Sequence, residues 1–363
     1  MRQSGPIAIT LPAKAAINKR ETARNAIPPV SARKLERLRL VLLAWYDRNR
    51  RDLPWRRTRD PYAIWLSEIM LQQTRVAAVL NHYRSFLARF PNVAALAAAS
   101  EDAVLAAWSG LGYYRRARML LQCAREIVER YNGSFPQDSE TLRSLPGIGR
   151  YTAAAIASIA FSEPVAVVDG NVERVLQRIT GRALTPQQCW ERSQELLSRS
   201  HPGDFNQSMM ELGATVCLPR EPRCLTCPLR QHCATRGERP RAKLNSPQNR
   251  REIWCALELR NGRVRLVKRA ASESLMAGMW ELPQWTGFPP LAPASTHWRT
   301  FRHSITVTDY IVHVLRNSGE PGGTRPPGKW IAVEKIPHLP ITGLTRKILK
   351  ADGVIQSSEA FHP

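Results

Sequence analysis

Two carboxylates, a glycine-flanked turn and four cysteines are the residues of this chain whose types and spacing could do chemistry. Glu68 lies in Ala63-Ile64-Trp65-Leu66-Ser67-Glu68-Ile69-Met70-Leu71-Gln72-Gln73-Thr74. On a helix its three- and four-step neighbours are Ile64, Trp65, Leu71 and Gln72, so a carboxylate shares a face with an aromatic and two aliphatic side chains. Burial there disfavours the charged form and would keep a proton available near neutral pH. The plainer alternative is a glutamate at the helix edge, reaching for one of many nearby arginines. Asp169 stands in Val165-Ala166-Val167-Val168-Asp169-Gly170-Asn171-Val172-Glu173-Arg174, where a helix N-cap is expected. A capping aspartate has a fixed orientation and one oxygen left to face a cavity, and Asn171 falls in the first turn behind it.

Between the carboxylates runs Leu145-Pro146-Gly147-Ile148-Gly149-Arg150-Tyr151, followed by the small, apolar stretch Thr152-Ala153-Ala154-Ala155-Ile156-Ala157-Ser158-Ile159-Ala160-Phe161. A turn of this kind can expose the backbone N–H groups of Gly147 and Gly149 just before a helix starts, and such amides bind a phosphate oxygen. A helix–helix turn without a ligand has the same pattern. Four of the seven cysteines form Cys217-x6-Cys224-x2-Cys227-x5-Cys233. Four clustered thiolates suit a 4Fe–4S cluster or zinc. Zinc ribbons usually bring two short-spaced pairs, and only Cys224 and Cys227 form one here, so the spacing favours iron–sulfur. Arg220, Arg223 and Arg230 make the segment basic as well.

The elements that position these groups are mostly helical up to the cysteine segment. Leu35, Leu38, Leu42, Trp45 and Tyr46 recur at helical steps; Asn49 to Pro54 breaks the pattern before the helix of Glu68. Helices are expected over 76–89, 101–108, 114–131 and about 172–180. The turn Ser109-Gly110-Leu111-Gly112 leads directly into Tyr113-Tyr114-Arg115-Arg116. Aromatics beside arginines after a flexible turn can insert between bases while the cations hold phosphates, although two tyrosines capping a core would look alike. Residues 236–251, polar, basic and broken by Pro240 and Pro247, read as a linker. Beyond it the period becomes two: Ile253, Cys255, Leu257 and Leu259 alternate up to Asn261-Gly262, a type I′ hairpin signal, with Val264 and Leu266 following. Strand character returns at Ser304–Leu315 and a short helix at Leu344–Leu349, which makes a second domain of α/β type.

The net charge of +23 calls for a polyanionic partner, nucleic acid first. No run of 18 or more apolar residues is present, so no membrane-spanning segment is expected. The clustered cysteines, with no secretory signal before them, point to metal binding and a cytoplasmic setting rather than a disulfide framework. Residues 1–30, basic and rich in Ala and Pro, read as a disordered DNA-seeking arm or an organelle transit peptide.

Residues from about 33 to 350 resemble the MutY-type adenine DNA glycosylases of the helix-hairpin-helix, endonuclease III-like superfamily. The resemblance rests on Leu53-Pro54-Trp55-Arg56, Trp65–Thr74, Gly110-Leu111-Gly112-Tyr113-Tyr114, Leu145–Tyr151, Val168-Asp169-Gly170-Asn171-Val172 and the four cysteines. It implies a mainly α catalytic region of two helical lobes over 31–235, a 4Fe–4S cluster on Cys217, Cys224, Cys227 and Cys233, and an α/β, Nudix-like (MutT-like) domain over 252–350 with a tail at 351–363. It implies a monomer acting on double-stranded DNA at adenine opposite 8-oxoguanine or guanine. In that scheme Glu68 protonates adenine N7, Asp169 stabilises the cationic sugar, and Tyr151 and Asn171 position them. Arg56 contacts the adenine pocket, Gln73 and Tyr113 probe the base stack, and Gly147 and Gly149 hold a phosphate. Endonuclease III, the lyase of the superfamily, carries lysine where this chain has Tyr151, so a monofunctional glycosylase is implied over a lyase or a non-catalytic iron–sulfur DNA-binding protein. Gly278-Met279-Trp280-Glu281-Leu282-Pro283 fits the second domain's pattern, without the glutamate run of a pyrophosphohydrolase. The family's Phe-Ser-His lesion-sensing loop is altered to Ile305-Thr306-Val307, which leaves Thr306 as its hydroxyl donor.

Overall fold

A computed structural model of the chain describes residues 31–237, 249–273, 275–286, 296–305, 308–317 and 328–355. The arm at 1–30 and Thr306 lie outside the described residues.

The helical region is organised around one almost wholly buried helix. Asp60 caps it by accepting from the amides of Tyr62 and Ala63, Pro61 supplies its fixed φ at the first position, and every residue from Tyr62 to Met70 is buried. We number the helices in order: α1 (Ala32–Asn49), this central α2 (Pro61–Leu71), α3 (Val76–Arg89), α4 (Val93–Ala97), α5 (Glu101–Trp108) and α6 (Arg115–Tyr131). They continue with α7 (Ser139–Arg143), α8 (Arg150–Phe161), α9 (Gly170–Thr180), α10 (Pro186–Leu196) and α11 (Pro202–Thr215). Two apolar cores divide them. One, with Trp65, Phe86, Trp108, Leu120 and Ile156, is built from α2 to α8. The other joins Leu38 and Leu42 of α1 to Val172, Leu176, Leu196 and Leu212, and reaches Leu229 of the cysteine segment. The chain therefore leaves the second lobe after α1, builds the first lobe, and returns. Short α4 and α7 escaped the sequence reading because five residues carry too little periodicity to show.

Among the described residues the C-terminal region is a mixed sheet of seven strands with a helix against it. The strands are β1 (Asn249–Arg260), β2 (Arg263–Lys268), β3 (Trp280–Glu281), β4 (Gln284–Trp285), β5 (Thr296–Ile305), β6 (Thr308–Asn317) and β7 (Lys329–Ala332), and the helix is α12 (Gly343–Ala351). β1 and β6 run parallel, while β1–β2 and β5–β6 are antiparallel. Asn261 and Gly262, both at positive φ (47° and 66°), make the tight β1–β2 turn. Two boundaries differ from the sequence reading. β1 starts at Asn249, inside the stretch read as linker, because its first residues pair in register with Thr308 to Tyr310. The strand expected over 304–315 is the end of β5 and most of β6, two strands of one antiparallel pair.

Candidate active site

Glu68, Tyr151, Asp169 and Asn171 meet in one cavity of about 650 Å³ at the seam between the two lobes, with Arg56, Gln73, Met210 and Glu211 also in its wall. Glu68 is only 7% exposed and has no ion-pair partner among the described residues, so the edge-glutamate alternative does not describe it. Its Oε2 accepts from the Tyr151 hydroxyl at 2.8 Å, and that hydroxyl also touches Met210 Sδ at 3.3 Å. Burial pushes the Glu68 carboxyl up to about 7, with the negative charge of Asp169 adding to the rise; the Tyr151 bond and Arg56 work against it. The group is thus poised to carry and release a proton near neutrality.

Asp169 caps α9. Its Oδ1 accepts from the backbone amides of Asn171 (2.9 Å) and Val172 (2.7 Å), and its Oδ2 accepts from Asn171 Nδ2 at 2.8 Å. The sequence reading left one oxygen without an internal partner; the Asn171 side chain fills that place and fixes the carboxylate plane. Asn171 is itself oriented, because its Oδ1 takes Arg174 Nη2 at 2.8 Å, which leaves its amide nitrogen for Asp169. Arg174 donates onward to the carbonyls of Gly213 (2.7 Å) and Cys217 (2.8 Å). A Cβ on Gly213 would lie 2.6 Å from that of Asn171, so only glycine lets α11 approach α9 this closely.

Arg56 lines the cavity, but its guanidinium is engaged by Glu211 Oε2 at 2.7 Å. Glu211, fully buried on α11, also takes Arg51 through both oxygens at 2.8 and 2.7 Å. Burial would raise its carboxyl, yet the Arg51 and Arg56 bonds hold it down at about 2. Sequence reading missed Glu211. The signal was there, a lone carboxylate inside the apolar run Met209-Met210-Glu211-Leu212, the same signal that singled out Glu68.

Gln73 and Tyr113 stand together on the wall of a second cavity, of about 880 Å³, between the helical region and the C-terminal domain. Both are exposed and both have left-handed backbones, φ 55° and 49°. Tyr114, by contrast, is buried at 4%, so one tyrosine of the pair caps the core and the other projects. Arg116, expected from the sequence to hold a phosphate, instead ties the two turns together. It donates to the carbonyls of Ile69, Met70 and Gln72 (2.7, 3.0 and 2.6 Å) and to Thr74 Oγ1 (3.1 Å), and to the carbonyls of Leu111 and Gly112 (3.2 and 3.3 Å). The opposite wall carries His303, Ser304 and Ile305, the end of β5.

The turn before α8 is exposed at Gly147 and Gly149. Gly147 has φ +74°, and an added Cβ would strike Met119 Cβ at 2.8 Å. At Gly149, the α8 N-cap, a Cβ would meet nothing within 4 Å, and no side chain caps the helix. The first-turn amides of α8 therefore have no side-chain cap, as an anion site needs.

Cys217, Cys224, Cys227 and Cys233 line one small cavity of about 30 Å³. Arg178 Nη1 approaches Cys217 Sγ at 3.3 Å, and the Arg236 amide donates to Cys233 Sγ at 3.4 Å. Burial pushes the Cys227 thiol up to about 11, and the other three cysteines add to the rise. Among the described residues no group of three or more His, Cys, Asp or Glu side chains is arranged to hold a metal ion. No helix among them is long and apolar enough to cross a membrane.

Residues 66–199 match the pattern of the HhH-GPD superfamily base excision DNA repair proteins. The human adenine DNA glycosylase is 36% identical over 401 aligned residues, covering 85% of this chain and 72% of the human protein. The mouse adenine DNA glycosylase is 46% identical over 235 residues, covering 60% of this chain but 46% of the mouse protein's length. Among solved structures, a thermostable thymine-DNA glycosylase superposes with a TM-score of 0.53 at 30% identity, covering 56% of this chain and 97% of that one.

Proposed function

The chain belongs to the adenine DNA glycosylase family, and we propose that it excises adenine mispaired with 8-oxoguanine or guanine, hydrolysing the N-glycosidic bond and leaving the strand intact. The observation that carries this reading is the buried Glu68 carboxyl in the same cavity as the capped Asp169.

Adenine's N9–C1′ bond is out of reach inside a duplex, so the nucleotide must be turned out into the cavity. Tyr151 donates to Oε2 of Glu68, which leaves Oε1 to present the proton to adenine N7. Protonation makes the base a good leaving group. As the bond stretches, positive charge grows on the sugar, and Asp169, held by three N–H donors, supplies a fixed anion for it. Water then adds at C1′, its proton accepted by the Glu68 carboxylate. Arg56, oriented by its bond to Glu211, stands in the cavity wall as a donor for adenine's ring acceptors. No lysine is among the lining residues and position 151 is tyrosine, so the pocket offers no amine for a Schiff base.

Gln73 and Tyr113 would enter the base stack, and the amides beyond Gly147 and Gly149 would take a phosphate. The Nudix-like C-terminal domain would read the opposite base, with Thr306 as hydroxyl donor. Cys217, Cys224, Cys227 and Cys233 would hold a 4Fe–4S cluster. Four thiols lining one small cavity suit a group that takes four thiolate ligands. When bound, it supplies a cross-link of the segment and one-electron redox chemistry. The protein would act as a monomer on DNA in the cytoplasm.

The test is a duplex with one A·8-oxoguanine pair, incubated with the protein and divided. Strand cleavage only after alkali is the expected result. Cleavage without alkali would indicate a lyase, and none in either sample would overturn the reading.

A further inference from the structure

Helix α12 touches both walls of the larger cavity with adjacent side chains. Arg346 Nε donates at 3.0 Å to Ser109 Oγ, the residue just before the Gly110–Tyr113 turn. Ser109 Oγ donates in turn to the Ile341 carbonyl at 3.1 Å, and Tyr114, just after the turn, donates its hydroxyl to the same carbonyl at 3.3 Å. On the other side Lys347 Nζ donates at 2.8 Å to the carbonyl of Arg302, in the last turn-ward residues of β5. Gly343, the first residue of α12, lies against His303: a Cβ there would sit 3.9 Å from the imidazole Cε1.

These anchors are stiff. Ile341 is fully buried, and its neighbours are pinned by the bonds from Trp280 N to Pro340 O (2.8 Å) and from Thr342 N to Trp280 O (2.9 Å). Leu344, Ile348 and Leu349 bury α12 in the C-terminal core. Tyr113 itself is exposed, on a left-handed residue, so its direction is set by the flanking anchors more than by its own packing. A displacement at the end of β5 therefore reaches the turn of Tyr113 through a single packed helix, which is the kind of contiguous element that coupling between two sites requires.

We propose that Arg346 and Ser109 are positioning residues that set opposite-base specificity, α12 carrying the state of the β5 end to the Tyr113 turn. The inference rests on the glycosylase reading for its substrate, but not for its readout. The full-length protein and its Arg346→Met, Ser109→Ala and double variants are compared on duplexes with 2-aminopurine beside adenine opposite 8-oxoguanine or opposite guanine. Fluorescence on binding reports unstacking by Tyr113, and single-turnover excision reports rate. Each variant is expected to lower the 8-oxoguanine-to-guanine ratio in both readouts roughly fivefold or more, the low end of coupling between sites. The double variant should lose no more than Ser109→Ala alone, because that substitution already removes the acceptor of Arg346. Lys347→Met, on an exposed side chain, should lower the ratio in the same direction and guards against a folding artefact. Ratios within twofold of the unsubstituted protein, in variants that melt normally, overturn the proposal. A protein that excises nothing but whose fluorescence ratio falls in the variants defeats the glycosylase reading and leaves the coupling standing.

Discussion

Replacing Tyr151 with phenylalanine deletes one hydroxyl and should move the alkaline limb of the reaction upward. The Glu68 carboxyl sits at about 7, raised by burial and by Asp169 and lowered by the Tyr151 bond and Arg56. The hydroxyl donates to Oε2 at 2.8 Å, and it stabilises the ionised form more than the neutral one. A hydrogen bond to a charged group contributes about 1.5–3 kcal/mol. At about 1.4 kcal/mol per pH unit, its loss raises the carboxyl by roughly one to two units. The acid form is the active one, so the Tyr151→Phe rate should fall off at about pH 8–9 where the unsubstituted protein falls off near 7. The plateau should drop as well, because the carboxylate loses its orienting partner. Single-turnover excision of adenine from an A·8-oxoguanine duplex, followed from about pH 5.5 to 9.5, measures both effects. A limb that stays in place or moves downward refutes the argument that Tyr151 tunes the proton on Glu68.

Glu68→Gln should bind the mispaired duplex and excise nothing, read by gel shift and alkali cleavage. It should also melt higher than the unsubstituted protein at alkaline pH: the folded carboxyl lies near 7 against an ordinary 4.5, so stability is full below about 4.5 and falls by up to about 3 kcal/mol as pH rises through 7. At pH 4 the two proteins should melt alike. Gly147→Ala should lower stability by about 1–2 kcal/mol through its positive φ, with the Met119 contact adding to this, whereas Gly149→Ala should melt normally and bind DNA more weakly. Cys224→Ser should lose bound iron and its visible absorbance, with a lower melting temperature; unchanged iron content would remove Cys224 from the ligand set.

What the sequence showed was set by how local the physics is. Glu68 could be picked out because helical spacing alone puts a carboxylate among apolar side chains, and Asp169 because N-caps are local. The Asn261-Gly262 hairpin was legible for the same reason. Glu211 carried the same local signature as Glu68, but its meaning depends on Arg51 and Arg56, far away in the chain, and no spacing brings those together. Arg116 was read only as a possible phosphate cation beside Tyr113. Its bonds to six backbone and side-chain acceptors in two separate turns exist only after α2 and α6 have packed. The second oxygen of Asp169 was misjudged because its partner, the Asn171 amide, is oriented by Arg174 and by the close passage of Gly213.

The two carboxylates can hold different roles because each belongs to a different lobe. Glu68 is embedded in a helix buried on all sides, so its environment favours a neutral carboxyl. Asp169 sits at an open helix end, among N–H donors that an acceptor satisfies. What holds them in one cavity is α11, which lies across the seam. Its first turn meets α8 so closely that a Cβ on Gly203 would fall 2.7 Å from the Ser158 carbonyl oxygen, and its last turns meet α9 at Gly213 and Asn171. Between those two contacts it presents Met210 to Tyr151 and Glu211 to Arg56. The relative placement of acid and anion is therefore fixed by backbone-to-backbone packing and not by any bond between the carboxylates themselves. Two like charges near one another could not supply such a bond, and the lobes impose the proximity that the carboxylates would otherwise resist.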